Sequence, residues 1–233
     1  MQALLDLDLG WLVAWLTAIP VAAAAALYWI TQRSRFATRL LPYGGVVAPF
    51  FTSVAIVFGM FAAFLGADIW QRVQSSNQSL EHEVAAVQSI LQISAALDAR
   101  GDAIASQARR YINATLSDEL SRRGVSRSAV PDQLLGELAR EILTLPHAND
   151  VSRVAQGAML SAFEVMWQAR ATRRYIADTH SDPYKWIAVI VFGFLTQVAL
   201  ALSHLDKPKA STAALAVFTI AFALTLVALA MHE

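Results

Sequence analysis

The sequence contains no cysteine and little charge. Because none of its 233 residues is cysteine, the chain cannot form a disulfide framework or a thiolate zinc site, and it has no cysteine nucleophile. Asp, Glu, Lys and Arg make up only 15% of the chain, and 18 basic side chains balance 18 acidic ones. Binding to nucleic-acid phosphates requires a basic excess that is absent here. We therefore expect no nucleic-acid partner.

Sequence motifs of the common enzyme classes are also missing. The chain has no GxSxG elbow, Walker loop, HExxH pair or dinucleotide fingerprint. His82 lies between Glu81 and Glu83, but adjacent residues point to different sides of a helix and do not converge on one metal ion. The sequence predicts no catalytic residue, no metal site and no cofactor, and the chain is not expected to be an enzyme.

The chain is instead strongly apolar, with 56% hydrophobic residues and a mean hydropathy of +0.46. Four windows without a charged residue are long enough to cross a hydrocarbon core of about 30 Å. Acidic Asp6 and Asp8 precede the first window where a signal peptide carries basic residues, so we expect that window to remain as a membrane helix. The windows cover residues 11–30, 46–67, 186–203 and 213–231.

Polar residues return with helical spacing between the second and third windows. No Gly or Pro occurs between Ala67 and Gly101, which predicts that the second membrane helix continues out of the bilayer as one long rod. Apolar residues spaced by four, three and four predict a seam packed on partner helices. That seam consists of Leu80, Val84, Val87 and Leu91, and further helices are expected over 104–120, 132–145 and from 151 onward.

These patterns predict an all-α integral membrane protein with four transmembrane helices and a large helical insert between the second and third. The first transmembrane hairpin covers residues 1–70, the water-exposed helical domain 71–184 and the second hairpin 185–233.

The second window carries a strip of small residues on one side of its helix. Ala55, Gly59, Ala63 and Ala67 recur every four residues. Such a strip lets another backbone approach closely, so we expect it to form a helix-packing interface.

A different side of the same helix carries Val57, Phe61, Phe64 and Asp68. If several copies surround an axis, this side suits a hydrophobic constriction topped by a ring of acids. Alternatively, the phenylalanines contact lipid or a neighbouring helix while Asp68 reaches the water of the headgroup layer.

Three stretches of the chain resemble one family of membrane proteins. They are the run over 52–70, the Arg109-Arg110-Tyr111 motif followed by Asp118 and Glu119, and the segment from Arg170 to Arg173 that leads to Trp186. Over about residues 45–200, the chain resembles the bestrophin-like family of membrane proteins of unknown function.

This resemblance implies distant kinship with bestrophins, which are homopentameric anion channels whose second membrane helix lines a pore with a hydrophobic neck. Phe61 and Phe64 would then take the neck role, and the partners would be the lipid bilayer, permeating ions and four further copies of the chain. Two functions therefore remain open: an oligomeric ion channel, or a non-conducting membrane scaffold or sensor whose helical domain binds a partner. Only a channel needs a continuous wettable path.

The basic residues of the short loops predict the orientation. Arg33, Arg35 and Arg39 follow the first window, Lys207 and Lys209 lie between the last two, and the tails carry no Lys or Arg. The positive-inside rule then places the short loops in the cytoplasm and the helical domain outside it. The bestrophin insert, in contrast, is cytosolic. The Ala- and Arg-rich, Lys-poor composition favours a bacterial source, hence the inner membrane.

Single cysteines in this cysteine-free chain test the orientation. A Ser128→Cys variant should react with a membrane-impermeant thiol reagent on intact cells, whereas a Ser34→Cys variant should react only after the membrane is permeabilised. The charge count is the physical reason for this difference. Labelling at position 34 and protection at position 128 would instead support the cytosolic insert of bestrophins.

Overall fold

The computed structural model describes residues 9–33, 47–97, 99–122, 130–146, 150–179, 181–205 and 207–232. Several residues used above lie outside this part of the chain. They are Asp6, Asp8, Ser34, Arg35, Arg39, Ser128 and the side chains of Asp118 and Glu119.

The described residues form seven α-helices and no β-strand, which confirms the all-α prediction. Four helical segments are long and apolar enough to cross a membrane, and they overlap the four predicted windows: Val13–Arg33, Phe50–Ala95, Pro183–Ser203 and Pro208–His232. The protein is therefore an all-α integral membrane protein. The helices are α1 (Leu9–Tyr28, which continues into a π-helical turn, Trp29–Arg33), α2 (Val47–Ala95), α3 (Ala99–Arg122), α4 (Val130–Leu143), α5 (Asp150–Asp178), α6 (Pro183–Ser203) and α7 (Pro208–His232).

The chain divides into two compact units. The membrane unit contains Met1–Gln71 and Ser181–Glu233, and the helical unit contains Arg72–His180. Helix α2 contributes residues to both, and each unit has an apolar core of its own.

Helix α2 has 49 residues, as the lack of helix breakers predicted. At 1.5 Å per residue it is about 74 Å long, more than twice the hydrocarbon thickness of a bilayer. It ends at Ala95, where the amides of Ala96 and Leu97 donate to carbonyls three residues back. A Cβ at Gly101 would lie 2.0 Å from the carbonyl oxygen of Ser94, so this close turn into α3 requires glycine.

Large side chains of α2, α6 and α7 fill the core of the membrane unit. The ring of Phe58 packs edge-to-face on Phe222, with 5.4 Å between centroids. A Cβ at Gly193 would lie 2.2 Å from the Phe222 ring, so this glycine lets α6 approach α7. The buried members of this core are Leu65, Ile69, Trp186, Val189, Phe222 and Leu226.

A buried glutamine adds a polar link between three membrane helices. The side-chain amide of Gln197 donates to the hydroxyl of Thr219 at 2.9 Å and to the carbonyl oxygen of Pro20 at 3.2 Å. These bonds join α6 to α7 and α1. In a lipid environment water does not compete for them, so they help to specify which helices meet.

The helical unit packs α2, α3, α4 and α5 around one core. Val87 is buried there and Leu91 packs against it, as predicted for the apolar seam of α2. Leu80 and Val84, the other half of that seam, are exposed. The described helices of the chain therefore cover only the part of the seam nearest the end of α2.

Candidate functional site

One side of α2 in the membrane unit is exposed. We call this side the outer face, and it carries large apolar side chains: Ile56 is 58% exposed, Met60 51% and Phe64 59%. No described part of the chain covers them. The outer face also includes Gly59, Ala63 and Ala67.

The predicted small-residue strip lies mostly on this outer face. Gly59, Ala63 and Ala67 are exposed, and Ala55 is half-buried. A Cβ added to Gly59 would meet nothing within 4 Å among the described residues. Packing within the described part of the chain therefore does not require glycine at this position.

The predicted pore-lining residues do not share one exposed surface. Phe64 is exposed, whereas Phe61 stacks on Phe192 of α6 with 5.2 Å between ring centroids and 12° between ring planes. Val57 is half-buried. At about 100° per residue, Phe61 and Phe64 lie about 60° apart around the helix, which lets one ring pack inward while the other remains exposed.

Ile56 and Met60 share the exposed side with Phe64 but were not chosen from the sequence. The four-residue steps from Ile56 to Met60 and from Met60 to Phe64 could have identified them. It could not show which of two adjacent apolar sides α6 covers, because that depends on the contact between Phe61 and Phe192.

Asp68, the predicted acid near the end of the membrane window, forms an ion pair. Its Oδ2 lies 3.1 Å from Nζ of Lys185, in the first turn of α6. Both side chains are partly exposed. Asp68 therefore does not present an uncompensated negative charge.

A cluster of ionic and polar side chains lies inside the helical unit, and we call it the Glu83 cluster. The Glu83 side chain is only 5% exposed. The hydroxyl of Tyr111 donates to Glu83 Oε1, and Arg173 donates to Oε2 at 2.5 Å. Nη1 of Arg170 lies 3.9 Å from Oε1.

Asp132 extends the Glu83 cluster to α4. Nε of Arg170 donates to Asp132 Oδ1 at 3.2 Å, and Arg174 donates to Oδ2. The guanidinium of Arg170 also donates to the hydroxyl of Tyr111 at 3.3 Å and lies 5.6 Å from the centre of its ring. The cluster thus links α2, α3, α4 and α5 through side-chain contacts.

Burial and charge keep Tyr111 and Arg170 in their protonated forms. Burial, together with the charge of Glu83 and the hydrogen bond to it, raises the pKa of Tyr111 well above its usual value. Burial lowers the pKa of Arg170, but Tyr111, Asp132 and Glu83 outweigh it and the pKa of Arg170 is raised. Tyr111 therefore remains a hydrogen-bond donor and Arg170 a cation at neutral pH.

Residues 81–83 point to different sides of α2, as adjacent residues of a helix do. Glu81 and His82 are exposed, whereas Glu83 is buried. Across the described ranges, no three His, Asp or Glu side chains are arranged to hold a metal ion. The buried carboxylate of Glu83 thus contacts guanidinium and hydroxyl groups, and the arrangement serves to hold helices together.

The Glu83 cluster brings together residues from two of the stretches that carry the family resemblance, because Tyr111 belongs to one and Arg170 and Arg173 to the other. A family model described as the Bestrophin-like domain matches residues 18–233. The chain belongs to the bestrophin-like family. No curated protein and no solved structure gives a significant match to this bestrophin-like chain.

Replacement of Glu83 tests whether the cluster holds the helical unit together. A Glu83→Gln variant should lose roughly 3–5 kcal/mol of stability, because it removes the carboxylate that two buried guanidiniums contact. Thermal unfolding of the purified protein, followed by circular dichroism, measures this loss. Glu81→Gln is the matched control on the exposed side of the same helix and should change stability by about 0.5 kcal/mol or less. Equal melting of the two variants would contradict the need for a carboxylate beside the buried guanidiniums.

Proposed function

We propose that the chain is one subunit of a homo-oligomeric ion channel in which the outer face of α2 lines the conduction path. The observation that carries the proposal is this uncovered apolar face on a membrane helix that continues beyond the bilayer. Membership of the bestrophin-like family supports it, and kinship with bestrophins favours a pentamer. The helical domain is then extracytoplasmic in a bacterial inner membrane, as the charge of the short loops indicates.

A helix in such a ring has to contact a neighbouring copy and to line the axis, and the outer face carries residues suited to each. The small residues Gly59 and Ala63 permit close contact with a neighbouring subunit. Ile56, Met60 and Phe64 lie beside them and would face the axis. A narrow ring of large apolar side chains excludes water unless it widens, which gives the channel a hydrophobic gate.

The ion pair of Asp68 and Lys185 suits an apolar constriction that has no strong preference for cations. The ammonium 3.1 Å from the carboxylate cancels most of its field at a distance. Anions, which bestrophins conduct, would therefore not meet a ring of uncompensated acids at this level of α2.

Bulky substitutions in the small-residue strip test the assembly. The double variant Gly59→Leu, Ala63→Leu should run as a smaller species than the wild type in detergent gel filtration, because the added side chains hold neighbouring helices apart. Ala216→Leu with Ala221→Leu, at exposed positions of α7, is the matched control and should keep the wild-type size. A wild-type elution volume for the α2 double variant would place the subunit interface elsewhere.

Planar-bilayer recording of purified protein tests conduction. Phe64→Ala should raise the single-channel conductance or the resting leak, because it widens the apolar constriction. Ile220→Ala removes a similarly exposed apolar side chain of α7 and should leave the conductance unchanged.

If the wild type and Phe64→Ala both conduct no ions at any tested voltage or pH, the channel function is refuted. A non-conducting scaffold or sensor would then be the better explanation of the same fold.

A further inference from the structure

The part of α2 that belongs to the helical unit carries a line of exposed side chains, which we call the glutamine stripe. Its six members are spaced by four, three, four, three and four residues, so all lie on one side of the helix. Four of the six are glutamines. The stripe consists of Gln74, Gln78, Glu81, Ala85, Gln88 and Gln92, all of them exposed.

The stripe and the outer face lie at similar angles around the axis of the same uninterrupted helix. At about 100° per residue, its members lie within about 40° of the direction of Ile56. Ala67 lies close to the same direction. If Ile56 and Ala67 face an axis, the helical register of α2 turns the stripe toward the same side.

The composition of the stripe differs from that of the exposed surfaces of α3 and α4. Helix α4 exposes Glu137, Arg140 and Glu141, and α3 exposes Arg109 and Arg110, as solvated helix faces usually do. The glutamine stripe has a single charged residue, Glu81.

The stripe is also unlike a hydrophobic subunit contact, because it has no large apolar side chain. The exposed apolar residues of this part of α2, Leu80 and Val84, lie to one side of it. An amide-rich centre with an apolar flank suits a helix whose centre faces water and whose flank contacts a neighbouring copy.

Glutamine side chains suit the lining of an ion path in particular. Each amide offers an oxygen acceptor and two N–H donors without net charge. Such groups keep a path hydrated, and they can bind cations through the amide oxygen or anions through the N–H donors.

We propose that the glutamine stripe lines the water-filled part of the conduction path outside the membrane, and that Glu81 sets the charge preference of this part. The proposal rests on the channel function proposed above. It adds a selectivity determinant on a different part of α2 from the apolar constriction.

Reversal potentials in a potassium chloride gradient test this role. Glu81→Lys should raise the anion-to-cation permeability ratio about threefold or more, and Gln88→Lys should shift it in the same direction. Both shifts should grow as the salt falls, because the Debye length increases from about 10 Å at 0.1 M to about 30 Å at 0.01 M. Glu141→Lys makes the same charge change at an exposed position of α4 and should have little effect.

The outcomes separate this inference from the proposed function. Currents in every variant, with Glu81→Lys no different from Glu141→Lys, would overturn the stripe and leave the channel standing. A protein that never conducts would refute both. If Glu81→Lys fails to assemble, Glu81→Gln removes the charge without adding bulk, and an unchanged permeability ratio in that variant would equally overturn the role of Glu81.

Discussion

Helix α2 must be stable in hydrocarbon and in water with one unbroken run of backbone hydrogen bonds. Because those bonds close within the helix, only its side chains need to change where the solvent changes. They are mostly apolar up to Ala67, an ion pair neutralises Asp68, and polar side chains, among them several amides, become frequent from Gln71 onward. The inner side of the same helix supplies Leu65 and Ile69 to one core and Val87 and Ile90 to the other. Both compact units therefore depend on α2, and the sides that neither core uses are free for other contacts.

The Glu83 cluster is better understood as a device for specificity than as a source of stability. Removal of charges from water costs several kcal/mol per ion, so a well-packed apolar core could be equally stable. Apolar residues, however, would not require one particular arrangement of the helices. The cluster does, because Glu83 has to contact Tyr111 and Arg173 while Arg170 reaches Asp132. Because Glu83 points into the core, Glu81, about 160° away around the helix, must point out. The cluster thus fixes the rotation of α2 and, with it, the side chains that the glutamine stripe presents.

Local features of the sequence predicted the architecture, but they could not predict which sides of its helices are covered. Hydropathy locates the four membrane helices, and the lack of Gly and Pro after Ala67 predicts the length of α2, because both depend on neighbouring residues alone. The choice between Phe61 and Phe64 depends on Phe192, far along the chain, whose ring covers only Phe61. Sequence patterns likewise could not identify Glu83 as a member of a cluster, because its partners come from α3 and α5. The family resemblance named Tyr111, Arg170 and Arg173, but not the carboxylates of Glu83 and Asp132 that join them.

The ion pair at the end of the membrane window changes where charge selectivity can arise. A lone carboxylate beside an apolar constriction would attract cations strongly, because the low dielectric constant of the surroundings amplifies its field. Lys185 lies in the first turn of α6. The side chain of Asp182 caps this helix by accepting a hydrogen bond from the amide of Tyr184, which fixes the start of the helix that carries the ammonium. In the proposed channel, with the carboxylate of Asp68 compensated, the constriction would contribute size and hydrophobicity but little charge preference. Charge selectivity would then depend on exposed charge on the side of α2 that we propose to face the path. In the described part of that side, from Ile56 to Gln92, Glu81 is the only residue that provides it.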